Sequence, residues 1–166
     1  MKITIVGSSH GVPEPDRKCS CIKVEIGGNI YFVDMGTPAI DEMRRRGDDV
    51  NAVKGVFITH MHGDHIGGLP AVLEAYKVGV LWHSHQTYYS DAYDQLLYYA
   101  DQQDTLVEKP VVTQLFLLGD VQLELLGPLQ KSYTDINNSS LVIMASYGKT
   151  ASCSPVIWRH MQKSSW

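Results

Sequence analysis

Seven consecutive residues, Thr59-His60-Met61-His62-Gly63-Asp64-His65, hold three histidines and one aspartate, directly after the apolar run Val53-Lys54-Gly55-Val56-Phe57-Ile58. Imidazole nitrogen and carboxylate oxygen are the donors a borderline cation such as Zn²⁺ takes from a protein. A turn at the end of a rigid strand lets several of them converge. The alternate spacing of His60, His62, Asp64 and His65 differs from a helical His-Glu-x-x-His pattern and does not place all four groups on one helix face. The run therefore predicts a buried strand feeding a metal-binding turn, with Gly67-Gly68 closing it. His60 and His62 are expected on one metal and Asp64 and His65 toward a second. The turn is expected at the surface, contributing little to the core.

With that motif the chain resembles the metallo-β-lactamase superfamily, whose members are mostly hydrolytic metalloenzymes with an αββα sandwich. Upstream, Ile30-Tyr31-Phe32-Val33-Asp34-Met35-Gly36 is similar to the family's strand ending in Asp-x-Gly. The resemblance assigns Asp34 to bracing the metal-binding turn from behind. The alternative from the residues alone is that Asp34 caps a helix starting near Pro38. Residues 1–60, with Ser8-Ser9-His10-Gly11-Val12-Pro13 and Cys19-Ser20-Cys21, resemble the ribonuclease Z group and its phosphodiesterase relatives. Residues 64–150 are more similar to the soluble hydrolase domain of ComEC-type competence proteins. That likeness rests on His65-Ile66-Gly67-Gly68-Leu69-Pro70, Leu118-Gly119-Asp120-Val121, Leu126-Gly127-Pro128 and Asp135-Ile136-Asn137-Asn138-Ser139-Ser140-Leu141.

The resemblance implies zinc, one or two ions, with manganese as an alternative, and metal-bound hydroxide as the nucleophile. It also implies three further ligands: a middle His, a bridging Asp and a last His. None stands in its expected place, so the second half of the sandwich is expected to be incomplete. Asn137-Asn138-Ser139-Ser140 occupies the place of the middle His. Amides ligate metals weakly but donate hydrogen bonds well, so Asn138 is a candidate to orient water or a phosphate oxygen, unless the segment is simply a turn. The expected catalytic residues are thus Asp64 and Asn138, with His10 and Asn137 on the substrate side. His83 and His85 read as loop histidines flanking a strand end.

A chain of 166 residues suffices for one domain with a sizeable core. Its net charge of −4 supplies no overall field for nucleic acid, so a phosphodiester substrate would be held by metal and local groups. Three cysteines make no disulfide framework and fit a reducing cytoplasm, and no second pair completes a Cys19-x-Cys21 zinc site. No stretch approaches a signal peptide or a membrane span.

The periodicities predict strands at 2–6, 22–26 and 30–33, with Gly27-Gly28-Asn29 as a hairpin turn. A surface helix follows at 38–46, stopped by Gly47, whose three arginines read as a charged face. After Val53–Ile58 come a helix at 69–76, a strand at 78–82 and a helix at 89–102 that buries Tyr93, Leu96, Leu97 and Ala100. A hairpin at 111–117 and 121–126 and a last strand at 141–145 complete the series.

Residues 1–150 thus read as one partial metallo-β-lactamase-like domain, and 151–166 as a divergent tail expected to pack poorly. In place of the family's Phe-Thr-Gly-Asp run, the chain has Ala151-Ser152-Cys153-Ser154-Pro155-Val156-Ile157-Trp158. One base out of register, codons for these residues can spell the absent run, so a frameshift just after Thr150 is expected; a natural divergent tail, with His160 as a possible ligand, is the alternative. Two functions follow: a metal-dependent phosphodiesterase or nuclease-like hydrolase, or a catalytically impaired metal-binding fragment.

Overall fold

The computed structural model describes residues 1–9, 11–36, 39–86 and 88–153. Strands β1 (Lys2–Gly7), β2 (Cys21–Ile26) and β3 (Asn29–Met35) form an antiparallel meander. Ile26 pairs with Asn29, which leaves a two-residue turn in which Gly27 and Gly28 take φ of 57° and 81°. Positive φ at both central positions matches the twist of the flanking strands, and glycine adopts it without a Cβ clash. The expected turn is therefore present.

The chain then alternates. Helix α1 (Ala39–Arg46) ends at Gly47, and β4 (Val53–Ile58) returns parallel to β3. The short α2 (Gly63–Ile66) and α3 (Leu69–Ala75) lead to β5 (Val80–His83). Helix α4 (Asp91–Gln102) is capped by Ser90, whose Oγ accepts from the Tyr93 N–H, and β6 (Leu106–Glu108) follows. One six-stranded sheet results, ordered β1-β2-β3-β4-β5-β6. The strands β7 (Leu115–Leu118), β8 (Val121–Gly127), β9 (Val142–Tyr147) and β10 (Thr150–Cys153) make a second, antiparallel sheet ordered β10-β9-β8-β7.

Each face of β4 serves a different core, which is why the strand reads as nearly continuous apolar sequence. Val56 and Ile58 pack with Met43, Leu69, Leu73 and Leu96 in the helical layer. Phe57 faces the second sheet, stacking on Trp82 at 4.3 Å and meeting Phe116 edge-on at 6.0 Å. The described residues thus form three layers, helices on sheet on sheet, with α1–α4 supplying the helical one. Among the described residues no helix is long and apolar enough to cross a membrane.

Several expectations need correction. Leu97 is 36 % exposed and lies off the buried stripe of α4, which is Tyr93, Leu96 and Ala100. The strand expected from Val111 begins only at Leu115, because Thr113 takes φ of 71° and breaks the extended run. Strand β6 is three residues long, too short to show a period. The last strand is not at 141–145. Gly148, at φ 59°, closes a hairpin in which Thr150 pairs with Tyr147 and Cys153 with Met144. Residues 151–153 of the expected tail thus continue the sheet, since ladder bonds need only backbone; residues 154–166 lie outside the described residues, as do His160 and the frameshifted motif.

His83 is not a loop histidine. It ends β5 opposite Ile58, is 1 % exposed, and donates Nδ1–H to the Ser84 carbonyl at 2.8 Å. Burial pushes its pKa down to about 4. An unfolded chain takes up this proton near the usual 6.5, so between there and about 4 the unfolded state binds more protons and stability falls as pH falls. We expect the metal-free protein to lose on the order of 2–3 kcal/mol from this group across that window, levelling below it. Urea midpoints measured from pH 7 to 4 should fall less steeply for His83→Phe; parallel slopes would contradict this.

Candidate metal centre

Strand β4 delivers Thr59 and His60 just past its end, the chain bends at Thr59, and His62 precedes α2 at φ −73° and ψ 150°. Met61 is fully buried in the helical-layer core, an anchor between the two histidines. The first turn of α2 then carries Asp64 and His65. The expectation of a surface turn is corrected here: His60 is 2 % and His65 7 % exposed, and only His62 and Asp64 are half-open. The imidazoles cluster, with ring centres 4.0 Å apart for His60 and His65 and 4.9 Å for His60 and His62. Asp64 Oδ2 lies 3.5 Å from His65 Nε2.

Behind this cluster stands Asp34, fully buried at the end of β3 with φ of 58°. A buried carboxylate needs hydrogen-bond donors, and the left-handed region is one that Asp enters more readily than most residues. Asp34 accepts from the Thr59 N–H at 2.8 Å, the Thr59 hydroxyl at 2.9 Å, the Ser20 hydroxyl at 3.2 Å and His65 Nδ1 at 2.6 Å. The helix-capping alternative for Asp34 does not describe these contacts.

Counting protons identifies the free nitrogens. His65 Nδ1 is committed to Asp34, which leaves Nε2 facing Asp64. His60 Nδ1 lies 3.2 Å from both Thr59 Oγ1 and Ser140 Oγ. Those hydroxyls spend their protons on Asp34 and on the Asn137 carbonyl, so both can only accept from His60. His60 Nε2 is then a bare lone pair, buried and with no hydrogen-bond partner among the described residues. Burial, followed by the neighbouring His65 ring, lowers the His60 pKa to about 4 and keeps it neutral. Burial also works against the His65 cation, but the Asp34 carboxylate outweighs it and raises that pKa. An orphaned neutral imidazole nitrogen beside two further imidazoles and a carboxylate is a donor set that fits Zn²⁺. Among the described residues no three His, Cys, Asp or Glu side chains form a ready-made coordination group.

Two backbone approaches hold Asp64. The Gly11 N–H donates to its Oδ2 at 2.8 Å. Gly36 packs so closely that a Cβ there would collide with the Asp64 carbonyl oxygen and with Cys19 Cβ. The Asp-x-Gly at the end of β3 therefore needs its glycine for contact with the turn that carries Asp64. Cys19 and Cys21 are buried, and burial raises the Cys21 pKa far above its usual value.

The remaining predicted residues divide. His10 lies outside the described residues. Asn137 donates to Asp135 Oδ1 from its side chain at 2.8 Å and from its backbone N–H at 2.9 Å. Asn138 is exposed, and its side chain has no hydrogen-bond partner among the described residues. Ser140, overlooked in the sequence, is what this segment brings to His60. His85 is exposed on a bend beyond β5.

The metallo-beta-lactamase superfamily profile matches residues 15–135, most of the chain and all of this cluster. The chain belongs to the metallo-beta-lactamase superfamily. It is 36 % identical over 75 residues to ribonuclease Z from Methanothermobacter thermautotrophicus, covering 45 % of this chain and 24 % of that protein. The match thus spans about a quarter of the length of that relative. The fold is similar to human tRNase Z, short form, with a TM-score of 0.66 at 17 % identity over 92 % of this chain and 68 % of that one. It is also similar to the metallo-beta-lactamase fold protein YhfI of Bacillus subtilis, with a TM-score of 0.68 at 14 % identity over 90 % of this chain and 58 % of that one.

Two substitutions test the superfamily site as built here. Asp34→Ala strands the His65 and Thr59 donors and should weaken zinc about 10–100-fold. Gly36→Ala should cost ~1–3 kcal/mol through overpacking and weaken zinc as well by displacing Asp64. Calorimetric zinc titration and urea melts check both, and unchanged zinc affinity in the pair would refute the arrangement.

Proposed function

We propose that this chain is a metal-dependent hydrolase of phosphodiesters, with His60, His62, Asp64 and His65 holding one or two zinc or manganese ions. The observation that carries this reading is the buried Nε2 of His60, unpartnered among the described residues and set among two more imidazoles, one braced by Asp34, and the Asp64 carboxylate. A divalent metal bound here supplies Lewis acidity and lowers the pKa of water to about 7. The chain's own groups do the positioning. Asp34 fixes the His65 ring through Nδ1 and so directs Nε2 outward. Asp64, pinned by Gly11, can accept a proton from a water at the cluster.

Asn137 spends its amide on Asp135, which leaves Asn138 as the amide free to donate to a phosphate oxygen. His10 and Asn137 are kept as the substrate-side candidates that the sequence motifs suggest. The ribonuclease Z likeness supports a phosphodiester, including one in nucleic acid, held locally because the net charge is −4. Three cysteines without a disulfide framework fit a cytoplasmic protein. The ComEC-like reading of 64–150 is retained on the motifs that suggested it.

A second reading is a metal-binding domain with impaired catalysis, in which the half-site of His60, His62, Asp64 and His65 holds one zinc without assembling a bridged pair. Metal content and turnover of bis(p-nitrophenyl) phosphate separate the two. The hydrolase should bind up to two metals per chain, hydrolyse the ester, and lose both properties in His62→Ala with little loss of fold. One bound metal without turnover selects the second reading, and absence of metal binding contradicts both.

A further inference from the structure

The segment between β8 and β9 reaches the histidine cluster through one side chain that no ligand pattern suggests. Residues Ile136–Ser139 form a 3-10 turn opened by Asp135, whose carboxylate accepts from the Asn137 N–H. The turn brings the Asn137 carbonyl beneath the Ser140 hydroxyl at 2.6 Å. The next residue is spliced to the metal strand, since the Leu141 N–H donates to the Thr59 carbonyl at 2.9 Å. Ser140 is 4 % exposed, so its oxygen is held at a fixed place, 3.2 Å from His60 Nδ1.

A serine hydroxyl has one proton and two lone pairs. With the proton committed to Asn137, the contact with His60 runs from Nδ1–H to Ser140 Oγ. We propose that Ser140 is a positioning residue: it holds His60 in the Nδ1–H tautomer and fixes its ring, so that Nε2 presents a lone pair to a cation. The opposite tautomer would aim the Nδ1 lone pair at two oxygen lone pairs and leave a buried Nε2–H with no acceptor among the described residues. Among the described residues Thr59 Oγ1 is the only other acceptor for this proton, and it already serves Asp34 and lies 3.2 Å from His65 Nδ1 as well. Removing Ser140 therefore leaves the His60 proton with a shared and crowded partner. The zinc part of this inference rests on the metal-binding reading; the tautomer part does not.

The test uses the full chain, first metal-free. Long-range ¹H–¹⁵N spectra of the histidines report the tautomer directly. Wild type should show His60 protonated at Nδ1, and Ser140→Ala a mixture of both forms. Zinc affinity of Ser140→Ala should fall roughly 10-fold, the scale of removing an outer hydrogen bond from a ligating histidine. Ser140→Thr, which keeps the hydroxyl, should restore both. Ser140→Cys, close in size but a weak acceptor, should resemble Ser140→Ala and takes its place if the alanine variant does not fold. A His60 pattern unchanged in the Ala and Cys variants would overturn the proposal, as would a shifted tautomer with zinc affinity intact. Should wild type bind no zinc, the metal-binding reading fails while the metal-free spectra still decide the role of Ser140.

Discussion

The arrangement depends on one buried carboxylate. Asp34 takes donors from three separate places: Ser20 ahead of β2, Thr59 at the end of β4, and His65 in α2. A fully buried carboxylate without these partners would be strongly disfavoured, and each partner without the carboxylate would be a stranded donor. The network therefore stands or falls as a unit, joining the sheet ends to the histidine cluster. Its geometry requires Asp34 in the left-handed region, a backbone cost that such a fully satisfied site offsets.

Around that hub the chain packs backbone against backbone. Gly36 touches the Asp64 carbonyl and Cys19, and the Gly11 N–H holds the Asp64 side chain. The Gly68 N–H donates to the Met35 carbonyl at 2.9 Å, so the segment after α2 is tied to the end of β3 as well. The histidine-bearing turn is therefore clamped from the β1–β2 loop and from β3. From the second sheet, Leu141 bonds to Thr59 and Ser140 reaches His60. A site gathered from so many segments can be rigid although its candidate ligands come from one short run, and rigid donors are what a metal or a phosphoryl group needs.

What was legible in the sequence was whatever has a local signature. The meander, its Gly27-Gly28 turn, the strand Val53–Ile58 and the pair of βα units follow from alternation, turn residues and helical spacing. The cluster was legible because four ligand-type residues fall within six positions, and the Asp-x-Gly of Asp34 and Gly36 because it ends a strand. What was hidden depends on packing across distant segments. Ser140 contacts His60 from 80 positions away, and no periodicity marks it. His83 and His85 look alike in sequence, yet one ends β5 in the core and the other lies on an exposed bend. Strands β6 and β10, of three and four residues, are defined by their neighbours' ladders rather than by their own pattern.

The central claim is that Asp34 and Ser140 commit the Nδ1 atoms of His65 and His60, leaving both Nε2 atoms for a metal. The most direct measurement is anomalous diffraction at the zinc edge from crystals of the zinc-loaded protein. The account predicts a peak about 2.0–2.2 Å from Nε2 of both His60 and His65, with Asp34 still bonded to His65 Nδ1. Zinc bound elsewhere on the chain, or bound through Nδ1 of either histidine, would contradict it.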